Sequence, residues 1–236
     1  MRLGKLLEQR LQLSRKELKR TFARGIVRID GKVEYCETRN VDSQLHIIEV
    51  EGKMLQTSEV YYLLNKPVGV VTANKDSAHD TVFDCLQKED WREDLCFIGR
   101  LDRNTEGLLL LTSNGQLAYD LLQPGKKVSK VYEACLKEPA EMEDIARFEQ
   151  GIRFLDGTLC KPAKLTILPD SPHHVLLEIH EGKFHQVKKM FLAVGKKVER
   201  LKRVSFGPLV LPTDLPSGAY RKLTLEELSR LKEYFR

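Results

Sequence analysis

Gly99 to Gly115, GRLDRNTEGLLLLTSNG, is the stretch from which the rest of the chain is read. It sets one carboxylate, Asp102, between Arg100 and Arg103, then passes through Asn104, Thr105, Glu106 and Gly107 into four consecutive leucines. A run as apolar as Leu108 to Leu111, closed by Thr112 and the turn residues Ser113-Asn114-Gly115, predicts a strand buried on both faces. Asp102 then lies in a polar loop at the mouth of a core strand. A carboxylate placed there can be partly dehydrated while nearby guanidinium groups keep it ionised, the state that a nucleophile or a general base needs. The same residues also fit a loop aspartate in a surface ion pair, and local physics alone does not choose.

Length and composition narrow the field. A chain of 236 residues, 42% hydrophobic, can bury a sizeable core, as one large domain or as a large one with a small appendage. No run approaches the roughly 18 apolar residues of a membrane span, and MRLGKLLEQR has no signal-peptide stretch, so a cytoplasmic, non-membrane protein is expected. Cys36, Cys85, Cys96, Cys135 and Cys160 are odd in number and never closer than eleven positions. That spacing suggests neither a zinc knuckle nor a disulfide framework, and predicts reduced, mostly buried thiols. The net charge of +5 is unevenly spread: residues 1–32 carry ten Lys or Arg against Glu8, Glu17 and Asp30, a local +7 that leaves −2 elsewhere. A basic end on a near-neutral body fits a partner that carries phosphates.

Periodicity supplies the remaining elements. Leu3, Leu6, Leu7 and Leu11 mark one helix face, and Ser14 with Glu17 forms a capping box for a second helix, with Leu13 and Leu18 as its staple. Lys16, Arg20 and Arg24 recur four apart on that helix beside Arg15 and Lys19, a basic stripe opposite Leu18 and Phe22. Gly25 should end it, and Asp30-Gly31 should turn a hairpin from Ile26–Ile29 into Lys32–Cys36. Residues 51–58 lack periodicity and read as a linker. Strands are expected at 60–64, 70–72, 128–136, 164–168, 175–179, 197–206 and 209–211, with helices at 82–86, 116–122, 141–150 and 184–194, while 95–98 leads into the central motif. Lys130 and Tyr132 share a face of their strand. A last helix opens on a Thr224–Glu227 capping box and should bury Leu225, Leu228 and Leu231. Many short strands with scattered helices give an α+β body on a mostly antiparallel sheet. GKKVSK at 125–130 lacks the spacing of a phosphate loop, and His180-Glu181 with His185 lacks the i, i+4 spacing of a zinc helix, so neither nucleotide nor metal binding is expected.

Four ordered motifs carry a resemblance: Asn65-Lys66-Pro67-Val68-Gly69, the central Gly99–Thr112, Lys130-Val131-Tyr132, and Glu181-Gly182-Lys183-Phe184-His185-Gln186-Val187-Lys188-Lys189-Met190. Together they resemble the pseudouridine synthases of the ribosomal small subunit pseudouridine synthase A family. The order helix, helix, hairpin at the start resembles an S4 RNA-binding domain. The resemblance implies an S4-like domain over 1–55, with Arg15, Lys16, Lys19, Arg20 and Arg24 tracking phosphates, and a catalytic domain over 56–236. It gives the chemistry to Asp102, whether as nucleophile or as base for a ribose proton. Tyr132 is implied to stack on the flipped base and Lys188 to pair with Asp102. Lys183, Arg100 and Arg103 are expected at the RNA, Lys66 as a shaper of the cleft, and His185 as a structural hydrogen-bonding residue ahead of a proton shuttle. The implied reaction gains no atom and needs no cofactor. The implied partner is ribosomal RNA or a subunit assembly intermediate, met by a monomer. The expected target is one uridine of 16S rRNA, with a 23S synthase of the same family or a non-catalytic RNA-binding assembly factor as alternatives.

Overall fold

A computed structural model describes residues 1–235. Two helices open the chain, α1 (Leu3–Leu11) and α2 (Arg15–Ala23). Ser14 caps α2 as its sequence requires: its hydroxyl accepts from Glu17 N–H, and the Glu17 carboxylate accepts from Ser14 N–H at 2.9 Å. β1 (Val27–Ile29) turns at Asp30 and Gly31, φ 51° and 78°, into β2 (Lys32–Val33), which is shorter than the expected run to Cys36. The stretch expected as a linker is partly sheet. β3 (Ile48–Val50) turns at Glu51-Gly52, φ 49° and 80°, into β4 (Lys53–Met54). Both turns have positive φ at both central residues, the geometry that matches strand twist. Glu51-Gly52 reaches it without the Asn or Asp that usually advertises it. These strands form a sheet in the order β2-β1-β3-β4, and Leu3, Leu6, Leu7, Leu18 and Phe22 pack on its buried residues.

The larger sheet begins with β5 (Tyr61–Lys66), β6 (Cys96–Ile98) and β7 (Glu106–Thr112), followed by α3 (Gly115–Leu122), β8 (Lys130–Leu136) and α4 (Met142–Gln150). It continues with β9 (Lys164–Leu168), β10 (Ser171–Ile179), α5 (Gln186–Ala193), β11 (Val198–Phe206), β12 (Leu209–Val210), β13 (Tyr220–Lys222) and α6 (Leu225–Arg230). The order is β13-β5-β7-β11-β8-β10-β9, with β6 beside β7 and β12 beside β11. Every pairing in it is antiparallel except β7 with β11, so the mixed, mostly antiparallel α+β architecture expected of the sequence is present.

The leucine strand lies at the centre and is buried on both faces. Leu109 and Leu111 enter one cluster with Tyr132 and Phe191, while Leu108 and Leu110 enter the other with Leu121, Phe206 and Leu228. Ser113-Asn114-Gly115 turns the chain directly into the helix that follows: the Asn114 side chain accepts from Leu117 N–H at 3.1 Å and caps α3. Residues 82–86 are not helical, because Asp84 accepts from Thr81 N–H and only three-residue turns follow. Residues 70–72 contribute a single bridge, Val71 to Thr81, and no strand. Leu225, expected inside, is 59% exposed, because it is the first residue of α6, whose inner side is Leu228 and Leu231. Of the five free cysteines only Cys160 is buried and Cys36 is exposed, so the thiols are less buried than expected. Polar contacts join the small sheet region to the body: Tyr61 OH donates to the Asp42 carboxylate at 2.6 Å, and Lys232 Nζ donates to Leu45 C=O at 3.0 Å.

Candidate active site

Asp102 lies in the loop between β6 and β7, and residues 66–72 brace that loop through its backbone. Lys66 is fully buried, and its ammonium donates to Pro67 C=O and Thr105 C=O at 2.9 Å each and to Arg103 C=O at 3.4 Å. Gly69 N–H donates to Arg103 C=O at 2.9 Å. The Thr72 hydroxyl donates to Leu101 C=O at 2.8 Å and accepts from Leu101 N–H at 3.2 Å. Thr105 N–H closes a turn on Asp102 C=O at 3.0 Å. An ammonium has three donors, and here all three are spent on carbonyls, so Lys66 acts as a peg that holds the loop.

Burial pushes the Lys66 ammonium down to about 8, against the pull of nearby Asp102 and Glu106. The ordinary value is 10.5, so between these limits the unfolded chain binds a proton that the folded chain has released, and stability contributed by this group rises with pH. Replacing Lys66 by Met should therefore flatten the rise of the urea midpoint between about pH 8 and 10. Parallel midpoint curves for wild type and variant would remove the peg from the account.

Two nitrogen-bearing side chains face the Asp102 carboxylate, one from the N-cap of α5 and one from its first turn. His185 Nε2 is 3.6 Å from Oδ1, and Lys188 Nζ is 3.8 Å from Oδ2. Residues three apart on a helix share a face, and His185 is the N-cap of α5, so the two side chains point the same way. His185, expected as a structural residue, thus stands at the carboxylate itself. The guanidinium groups expected to hold Asp102 ionised do not touch it: among the described residues no ion pair joins it to Arg100 or Arg103. Both arginines are exposed, and Arg103 contacts His79 instead. Lys183, expected at the RNA, is paired with Glu181. Glu181 also accepts from the Gln186 amide and from Lys161 N–H at 2.8 and 2.9 Å, and this network sets the loop before α5.

Tyr132 reaches the same place from β8. It is 8% exposed and lines, with Asp102, Arg100, Thr105, Leu201 and His185, a small inner recess of about 90 Å³. The recess opens into a cleft of about 900 Å³ that also takes in Arg103, Lys130, Lys161, Phe184 and Arg203. Sequence reasoning assigned no role to Thr105 or Arg203. The Thr105 hydroxyl and Arg203 Nη2 are buried without a partner among the described residues. Arg203 is 2% exposed, and its Nε donates to Leu108 C=O at 2.8 Å. Lys130 and Arg203 lie 5.5 and 5.2 Å from the centre of the Phe206 ring, and burial, with Arg203 nearby, pushes Lys130 down to about 8. Nothing in the spacing of β11 marks Arg203, because two bulges blur its alternation.

The basic helix α2 is solvated along its stripe, but not all of it is free. Arg15 pairs with Glu8 and Glu37, and Arg24 pairs with Glu51. Among the described residues Lys16, Lys19 and Arg20 have no carboxylate partner, and they are the exposed charges that remain.

The sheet brings a braced carboxylate and a buried tyrosine into one cleft lined with cations, a surface suited to a substrate that carries phosphates. Residues 60–193 match the model of the RNA pseudouridylate synthase family, and the chain belongs to that family. It is 45% identical over 236 residues to the uncharacterized RNA pseudouridine synthase YtzG of Bacillus subtilis, covering 99% of each chain. It is 39% identical over 231 residues to the ribosomal small subunit pseudouridine synthase A of Pseudomonas aeruginosa, covering 97% of this chain and 99% of the relative. A crystal structure of a pseudouridylate synthase superposes with a TM-score of 0.69 at 35% identity, over 98% of this chain and 99% of that one.

Proposed function

We propose that this protein isomerises one uridine of 16S rRNA to pseudouridine in the cytoplasm, with Asp102 as the catalytic carboxylate. The observation that carries the reading is the meeting of Asp102, Tyr132 and His185 at one recess, with the Lys188 ammonium 3.8 Å from the Asp102 carboxylate. In the reaction the N1–C1′ bond breaks, the uracil turns and C5 bonds to C1′, while C5 gives up a proton and N1 gains one. Asp102 acts at the sugar or at the base. Tyr132 offers an aromatic face that holds the freed uracil without fixing its azimuth. Lys188 supplies positive charge beside the carboxylate, and the His185 imidazole stands next to it. The relatives named for the small ribosomal subunit match nearly the whole of this chain, which favours 16S over 23S rRNA as substrate.

The test uses RNA tritiated at uracil C5. Each turnover should release one tritium and leave pseudouridine in the transcript. Release of free uracil would make the protein a glycosidase, and no release from any rRNA would leave the RNA-binding alternative.

Residues 1–55 serve, in this reading, as an S4-like domain that tracks phosphates. Lys16, Lys19 and Arg20 are the charges available for that role. Replacing all three by Ala should reduce the slope of log K against log salt for RNA by about 2, at roughly 0.7 per lost phosphate contact. An unchanged slope would place the RNA elsewhere.

A further inference from the structure

Phe184 is 68% exposed, yet it lines the catalytic cleft. Its ring is not loose. It lies on the His185 imidazole, with centroids 3.8 Å apart and planes 20° from parallel, and Lys189 Nζ is 5.7 Å from its centre. His185 in turn stands 3.6 Å from Asp102, so carboxylate, imidazole and phenyl follow one another outward from the recess. The backbone supports that order. His185 adopts a left-handed conformation, φ 52°, at the start of α5, and the Glu181–Gln186 network holds the residues before it.

Around the ring the cleft carries Arg100, Arg103, Lys130 and Lys161, against the carboxylates of Asp102 and Glu181. An aromatic face among cations is how single-stranded nucleic acid is held: bases stack on the ring while the charges follow the backbone. Extruding a uridine also creates a need for such a face, because the bases on either side lose their stacking partner.

We propose that the Phe184–His185 stack is a platform for the nucleobase next to the target uridine. The inference rests on the proposed RNA substrate and adds a contact outside the uracil recess. The ring takes the neighbour that the departing uridine leaves unstacked, and Lys189, paired with Asp156 at 3.3 Å, lies beside the ring. Such a contact is made equally in ground and transition states, so it acts on KM and not on kcat.

The experiment is steady-state kinetics on RNA that the wild-type protein isomerises, with Phe184→Ala and Phe184→Trp. Ala should raise KM about tenfold, about 1.4 kcal/mol, with kcat within about twofold of wild type. Trp should restore the wild-type KM. A second set of RNAs lacks the base on one side or the other of the target. On one of the two, the wild-type KM should rise to that of the Ala variant, and the variant's KM should rise no further. Wild-type KM in the Ala variant, or losses that add for both abasic RNAs, would overturn the platform while the isomerase reading stands. Absence of turnover in wild type itself would overturn both.

Discussion

Asp102→Asn should lower pseudouridine formation by at least about 10³-fold, within the range expected for removing a positioned acid or base. Asn keeps the size of the side chain and loses only its charge. The loop should survive the change, because its braces run through the backbone carbonyls of residues 101, 103 and 105, not through the carboxylate. The two ion pairs that would be lost lie at 3.6 and 3.8 Å with about a third of each partner still in water, so they add little to stability. The variant should therefore unfold at the wild-type urea concentration and bind RNA with wild-type affinity while releasing no tritium. Turnover within about tenfold of wild type would show that another group carries the reaction.

Gly107→Ala should have the largest effect on the fold. Gly107 has φ +107°, and a Cβ there would lie 2.3 Å from Arg203 O and 2.7 Å from Arg203 N. Those atoms belong to β11, held on its other side by β8, where Arg203 is paired with Tyr132. Neither strand can retreat without opening the parallel junction beneath the site. A loss of about 3 kcal/mol or more is expected, at the upper end for inserting a methyl into a packed core with a backbone that favours glycine. Activity should fall with it, since the Asp102 loop leads into β7 and Tyr132 is paired with Arg203 of β11, the two strands that must part. An unfolding free energy within about 0.5 kcal/mol of wild type would contradict the geometry.

What the sequence disclosed and what it hid follow one division. Local devices were legible: the leucine run, the two capping boxes and the Asp30-Gly31 turn each specify their element through neighbouring residues. Long-range placement was not. Arg100 and Arg103 flank Asp102 in the chain, and that adjacency suggested guanidinium partners. The fold instead brings Lys188 and His185 from α5, some eighty residues later, and leaves the arginines exposed on the cleft wall without an ion pair to Asp102. Lys66 reads as part of a turn, and only the fold shows that its ammonium is buried on the carbonyls of Pro67, Arg103 and Thr105. Arg203 was hidden for a different reason, because the bulges on either side of it shift its strand out of period two. Glu51-Gly52 made a hairpin where polar composition had suggested a linker.

The central claim is that the recess around Asp102 isomerises a uridine of the small-subunit RNA. Deleting the gene in its host and mapping pseudouridine across both rRNAs tests it most directly. The account predicts the loss of a single 16S position, restored by the wild-type gene and not by the Asp102→Asn gene. Loss of a 23S position, or no loss in either rRNA, would contradict it.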